Sequence, residues 1–528
     1  MSRGVFSSHN KVGEIMSFQT NHNGSGFNPS VGLTPFLNLE HRVSWDFGDS
    51  GDTAYYAGNN SPSKTYPDGS LKTVRIRTNL LSEISSFTAI NESLVGNLDL
   101  SRISLGNEGG GLGGSSTTFS VNNNPSLTGI THTATTKPIV SYEAYNNDLT
   151  GELILPFTKF PDTRYFFGFP IGNTGRFLVY GNPNLTKITH TRPVTSSVSE
   201  FYSFNDNDIT GNHDVSMFVD LGTRFLGRGN PNMTGVTHTA STRDMITYDL
   251  SACNITGNHD VSMFSGLGGN FAIDDNPNLT SISHVYSPNL FSDYDAFSCN
   301  LTGNHDVSMF PRLGGNFRIN SNSGLTSITH TASTEVFTTY TISDCNLTGN
   351  HDLSMFPGLG GIFRMADNLN LTGITHTVST QTFTQYYVDN SNLTGNHDVS
   401  MFPNMGGSFT LTLNSLLTGI TNPLSTKTFN DYWVSNCDLN YVNFLPLSGA
   451  TMGDIRLEEN NMSVTDVNHI LVDFDNMSTN LNPSGWSGVT LDISGTNAAP
   501  DSSSGGFDGI AALSSLTGGT NNWTITTS

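Results

Sequence analysis

The stretch TGNHDVSMF, residues 302–310, decides how the rest of the chain is read. It returns unchanged at 210–218, 256–264 and 394–402, and as TGNHDLSMF at 348–356. The histidines at its centre, His213, His259, His305, His351 and His397, stand 46 residues apart. A constant period of this length means a stack of equivalent units rather than one globular core. Residues that recur in every unit are then expected to be structural. Residues that change from unit to unit are where specificity is expected.

Each 46-residue unit has two halves. FRINSNSGLTSITH from Phe317 and YTISDCNLTGNHD from Tyr340 share one pattern: aromatic-x-aliphatic, then Asn or Cys, then Leu. Phe317, Tyr340, Phe363, Tyr386, Phe409, Tyr432 and Ile455 are 23 apart, and Tyr294, Phe271, Tyr248, Phe225 and Tyr202 keep that step toward the N-terminus. Phe177, Tyr142, Phe119 and Phe87 continue it with wider gaps. Side chains two apart on a strand share a face, so the aromatic and the aliphatic residue enter the core together. The Asn that follows turns inward, where its amide is expected to bond backbone groups of the neighbouring turn. Alternation of Phe and Tyr predicts two aromatic ladders interleaved in one core. The pattern resembles the leucine-rich repeat, L-x-x-L-x-L-x-x-N/C-x-L, over roughly residues 87–495. It departs from that family in carrying Phe or Tyr for the first Leu, and N-P-x-L at Asn182, Asn230 and Asn276. The resemblance implies an all-β dominated, leucine-rich-repeat-type solenoid with 23-residue turns in a 46-residue double repeat, preceded by a small β-sandwich. The segments between strands, such as THTAST and SMFPRLGG, lack a 3.6-residue apolar period, so extended or 3-10 backbone is expected there.

Composition agrees. The chain has 528 residues with 54 Gly and only 12% charged residues, which suits an all-β, turn-rich extracellular or virion protein. A formal charge of −22 argues against nucleic acid and anionic membranes as partners. No apolar run of about 18 residues is present to span a membrane. The first twenty residues, MSRGVFSSHNKVGEIMSFQT, have no apolar core of a secretory signal. A virion or cell-surface location is expected, reached by lysis or after removal of a signal. Cys253, Cys299, Cys345 and Cys437 share one repeat position, which Ser391, Asn207 and Asn147 fill elsewhere. Members two turns apart lie roughly 9–10 Å from each other, beyond the ~7 Å reach of a disulfide. Small buried thiols are expected.

Four segments follow from these patterns: an N-terminal arm (1–27), a β-sandwich (28–80), the solenoid (81–460) and a C-terminal cap (461–528). RVSWDFGDSGD at 42–52 and SPSKTYPDGSLKTVRIRT at 61–78 mark the second. Trp45-Asp46-Phe47-Gly48-Asp49, with Tyr66, Gly69 and Val74, resembles the PKD-type immunoglobulin-like domain. Lys64 replaces the family's usual His and Leu71 its usual Tyr. The resemblance implies Trp45 inside the sandwich, Gly48 at its turn, and a module that docks to other virion or surface proteins. Asp46, Asp49 and Asp52 are read as turn formers, with calcium as the alternative. No other cofactor is expected. In the cap, SVTDVNHILVDFDNM spaces Val464, Val467, Ile470, Leu471 and Phe474 as a helix does, with Ser463 as its N-cap. VTLDIS and NNWTITTS read as two further strands.

No P-loop, nucleophile elbow or H-E-x-x-H occurs, and no catalytic or metal residue is assigned. Eleven of the fifteen His fall into two ladders, the five named above and His132, His190, His238, His284, His330 and His376. They are expected to bond neighbouring turns. The positions flanking the second core aliphatic point to the sheet face and vary. Tyr145, Tyr180, Arg318, Arg364, Tyr387 and Trp433 are the candidate binding residues among them. Between Tyr142 and Phe177 the gap widens to 35 residues. That insertion carries Phe157, Phe160, Tyr165, Phe166, Phe167 and Phe169, expected to contact a neighbouring subunit or module in a homo-oligomer or multicopy assembly. The chain resembles repeat proteins of phages and Bacteroidetes-type cell surfaces, on LDISGTNAAP and the final W-T-I. The expected function is a non-enzymatic virion component, a head or tail fibre or a decoration protein, that binds a host glycan or surface protein. A bacterial adhesin is the alternative, and a polysaccharide-degrading enzyme the third reading.

Overall fold

The computed structural model describes residues 13–33, 42–49, 53–57, 62–78, 84–103, 105, 118–135, 139–157, 165–166, 169–170, 175–193, 200–218, 221–241 and 244–528. Strands hold 43% of the chain and helices 7%, and the architecture is a β-solenoid with turns about 23 residues apart plus a small N-terminal sheet region. Two compact units make up the chain, Met1–Leu267 and Gly268–Ser528.

The N-terminal unit begins with a six-stranded sheet. Its order is Ser126–His132, Leu94–Leu100, Gly13–Thr20, Lys72–Thr78, Arg42–Asp46 and Thr53–Ala57. Residues 13–27, read above as part of an arm, are strands: Gly13–Thr20 pairs antiparallel with Lys72–Thr78, and Gly24–Phe27 with Lys64–Tyr66. The reason is apolar content, since Ile15, Met16, Phe18 and Phe27 are all buried. Trp45 is fully buried and stacks on Phe47 with ring centroids 6.1 Å apart, as expected. Gly48 has φ +80°, and a Cβ there would meet the Thr73 carbonyl at 2.7 Å, so the turn requires glycine.

Parallel strands then stack in register. Phe87, Phe119, Tyr142, Phe177, Tyr202, Phe225 and Tyr248 sit on successive strands of this unit. The C-terminal unit repeats the arrangement with Phe271, Tyr294, Phe317, Tyr340, Phe363, Tyr386, Phe409, Tyr432 and Ile455. Neighbouring rings stack, for example Phe317 on Tyr340 at 5.3 Å and Phe363 on Tyr386 at 4.8 Å. Each such pair is worth about 0.5–1.5 kcal/mol beyond its burial. The two ladders expected from the sequence are one alternating column. Away from this sheet, TGNHD strands form short parallel pairs, as Thr302–Asp306 does with Gly324–Thr329. The SMFPRLGG segment, 308–315, turns at Phe310, whose N–H bonds the Val307 carbonyl, and then enters strand Leu313–Arg318.

A polar device recurs from turn to turn. Asn322 Nδ2 donates to the carbonyls of Ala296 and Ile319, and its Oδ1 accepts from Leu301 N–H. Asn368, Asn414 and Asn460 likewise donate to carbonyls of their own and a neighbouring turn. In the alternate turns Cys345 Sγ donates to Ile319 O, and Ser391 Oγ to Met365 O. One residue ahead of Asn322, Cys345 and Ser391 the backbone is left-handed, at φ 59° for Ser321, 54° for Asp344 and 47° for Asn390. Asn and Asp tolerate that conformation best among residues with a Cβ.

The C-terminal unit ends in two helices and two further strands. Helix Val464–Asn476 is capped by Ser463, in a reciprocal capping box with Asp466, and buries Val467, Ile470, Leu471 and Phe474. Strands Thr490–Ile493 and Thr524–Thr527 extend the sheet in register. A second helix, Gly509–Thr517, packs beside the first and was not foreseen.

Candidate binding face

On a strand whose core residues face inward, the residues between them face outward. In the C-terminal unit one outward row runs Asp295, Arg318, Thr341, Arg364, Tyr387, Thr410, Trp433, Arg456. A second row, two residues upstream, runs Asp293, Asn316, Thr339, Ile362, Gln385, Ser408, Asp431, Asp454. The backbone beneath is constant from turn to turn, whereas these side chains differ. Four candidates from the sequence, Arg318, Arg364, Tyr387 and Trp433, thus share one row.

Their partners differ, and the differences set what each can offer. Arg318 is neutralised by a bidentate pair with Asp295, both contacts at 2.6 Å. Arg456 donates Nε–H to Asp454 Oδ2 at 2.9 Å and lies over the Trp433 ring, 4.3 Å from its centroid. The same Asp454 oxygen accepts from Trp433 Nε1–H at 2.9 Å, so the indole is locked at its edge and covered on one face. Arg364 lies 5.1 Å from the Tyr387 centroid and donates to the neutral Gln385 Oε1, from Nη2 at 2.5 Å. Among the described residues no carboxylate lies within ion-pair distance of Arg364. Its described contacts are the neutral Gln385 amide and the Tyr387 ring. Asp389 completes the patch, accepting from the hydroxyls of Thr410 and Thr412. Its carboxyl is raised above the ordinary range by burial, which those hydroxyls oppose.

In the N-terminal unit Tyr145 and Tyr180 stack at 4.6 Å with planes 3° apart, a paired aromatic surface of its own. Phe157 requires a correction. It is 1% exposed and packs on His132 and Tyr142 at centroid distances of 5.0 and 5.7 Å. It fills the unit's own core and cannot present itself to a partner subunit. Tyr165–Phe166 and Phe169–Pro170 form a short antiparallel pair. Phe160 and Phe167 lie outside the described residues.

The candidate calcium carboxylates face cations of the chain. Asp49 lies 3.2 Å from Lys64 and 3.8 Å from Lys72, while Asp46 is 3.6 Å from both Arg75 and Arg77. These carboxylates are thus already paired with cationic side chains of the chain. Asp52 is outside the described residues. Among the described residues no group of three His, Cys, Asp or Glu is placed to hold a metal ion.

The histidine ladders turn inward, to an acceptor the sequence reading did not name. Tyr340 Oη lies 2.9 Å from His330 Nε2 and 2.9 Å from His351 Nε2. Tyr202, Tyr248, Tyr294 and Tyr386 bridge His190 and His213, His238 and His259, His284 and His305, and His376 and His397 in the same way. The signal was present: a His ten residues before the ladder Tyr (twelve before Tyr202) and another eleven after it. Where the second His is missing the bridge is missing too. Tyr142 bonds His132 alone, and Tyr432 donates to Asn422 Oδ1 at 2.9 Å.

Compared with protein-family models, curated proteins and solved structures, the chain matches none. No helix among the described residues is long and apolar enough to cross a membrane.

Proposed function

We propose that this chain is a non-enzymatic virion appendage, a fibre or decoration protein, whose C-terminal unit binds an acidic glycan of the host surface. The carrying observation is the row Arg364–Tyr387–Thr410–Trp433 on a repeated backbone. It sets a guanidinium bonded to a neutral amide beside a tyrosine, and a tryptophan two strands further on. Two strand spacings make about 9.6 Å, close to the length of a disaccharide. Arg364 is the donor for a sugar carboxylate, the hydroxyl-rich neighbours serve sugar hydroxyls, and the aromatic rings take the C–H faces. A repeated unit on many copies would turn weak individual contacts into firm attachment. The N-terminal sheet region is left to dock on the particle. Mass spectrometry of gradient-purified virions and of host envelopes tests the placement. The chain is expected in stoichiometric amount in the virions, and its recovery from uninfected cell envelopes instead would refute the virion assignment.

A further inference from the structure

A phenol hydroxyl carries one proton, so a tyrosine between two imidazoles donates to one and accepts from the other. Each bridge therefore holds two neutral rings with opposite states at Nε2. The direction can be assigned. Nδ1 of His238, His330 and His376 is buried without a hydrogen-bond partner. An unpaired N–H in such a place costs more than an unpaired lone pair, which puts the ring proton on Nε2. The bridge thus runs from His330 Nε2–H to Tyr340 Oη, and from Tyr340 Oη–H to His351 Nε2. The bridges through Tyr248 and Tyr386 run the same way.

No added proton is accommodated. On His351 Nε2 it turns an acceptor into a donor and leaves the tyrosine proton with no acceptor. On His330 Nδ1 it creates a buried cation with an unpartnered N–H. The surroundings offer little compensation. Phe356 packs edge-on against His330 at 4.8 Å, as Phe264 does on His238 and Phe402 on His376. His330 is faced by His351 and His305, His376 by His397 and His351, and His238 by His259 and His213, each opposing a second charge. The nearby acids are Asp214, Asp260, Asp306, Asp352 and Asp398, on the outer side of His213, His259, His305, His351 and His397. They are exposed, and all five already accept from the N–H of the serine two residues on.

We propose that these bridges make the solenoid an acid-released structure, stable at neutral pH and loosened when its surroundings become mildly acidic. Burial, against a smaller opposing pull from the adjacent Asp, holds His213, His259, His305, His351 and His397 down at about 4. Burial also takes His132 and His190 to about 3, and His238, His330 and His376 well below the ordinary value. All these shifts are downward from 6.5, so the unfolded chain binds more protons between pH 6.5 and 4. Stability is then complete above that window and falls as pH drops through it.

Calorimetric unfolding of the full chain at pH 5.5, in two buffers of different ionisation enthalpy, measures this uptake directly. Glu92, which burial raises to about 7, gives up about one proton on unfolding and other carboxylates contribute little at that pH, so a net uptake of roughly eight to nine protons is expected. The melting temperature is expected to fall by at least about 10 °C from pH 7.5 to pH 5.0. His376→Asn, which copies the chain's own use of Asn422 against Tyr432, should remove about one proton from the uptake. Uptake of two protons or fewer, or a melting temperature that holds steady over that range, would overturn the proposal.

Discussion

Leu413 is the residue most out of place. It occupies the left-handed corner where other turns have Ser321, Asp344, Asp367, Asn390 and Asn436, and its φ is 61°. The side chain is 52% exposed and so gains little from burial. A branched side chain in that region is strained by about 1–3 kcal/mol. Leu413→Asn is predicted to stabilise the protein by about 1 kcal/mol, read as a higher urea midpoint with unchanged slope. Cys345 shows the opposite case, a residue whose neighbour in the series names its substitute. All four thiols are free and buried, and burial pushes each up to about 12. Ser391 makes at its rung the same two carbonyl contacts that Cys345 makes at its own. Cys345→Ser is predicted to cost less than about 1 kcal/mol, and the native thiols should react with a thiol reagent only on the timescale of unfolding. Prompt labelling would contradict the buried ladder. At this scale the thiols and the inward Asn were legible, because a repeated position exposes its own constraint. The tyrosine bridges left only a fixed His–Tyr–His spacing, which no strand periodicity interprets, so the pairing itself had to come from the fold.

At the scale of elements, patterns of period 2 and 3.6 carried what the sequence could say. The helix Val464–Asn476 was visible in its apolar spacing, and its start in Ser463, whose hydroxyl accepts from Asp466 N–H at 3.3 Å. Ser463→Ala is predicted to cost about 1 kcal/mol through loss of the cap, measurable as a lower urea midpoint. The second helix, Gly509–Thr517, escaped because nine residues hold only about two and a half turns of pattern. Its N-cap Asp508, which accepts from Ala511 N–H at 2.9 Å, was the available signal. The early strands escaped for another reason. Gly13–Thr20 lies far in sequence from its partner Lys72–Thr78, and pairing at that range leaves no local mark. Phe157 is misread from sequence because a cluster of aromatic residues looks alike whether it covers a partner or fills its own core.

At the scale of the whole molecule, a constant framework carries variable faces, and the two can fail separately. Ladder residues determine whether the turns stack. Arg364, Tyr387 and Trp433 stand outside the core, so their loss is expected to leave stacking intact while removing recognition. The register that brings them into one row was legible from the 23-residue step. Their partners were not, since Gln385, Asp454 and Arg456 lie on neighbouring turns and only the fold shows which charge is matched. The most direct measurement is attachment of the purified chain to host cells, compared with the triple variant Arg364→Gln, Tyr387→Ala, Trp433→Ala. The account predicts a loss of at least about tenfold in affinity, equal to about 1.4 kcal/mol, and a melting temperature within a few degrees of the parent. Undiminished attachment by a folded triple variant would contradict it.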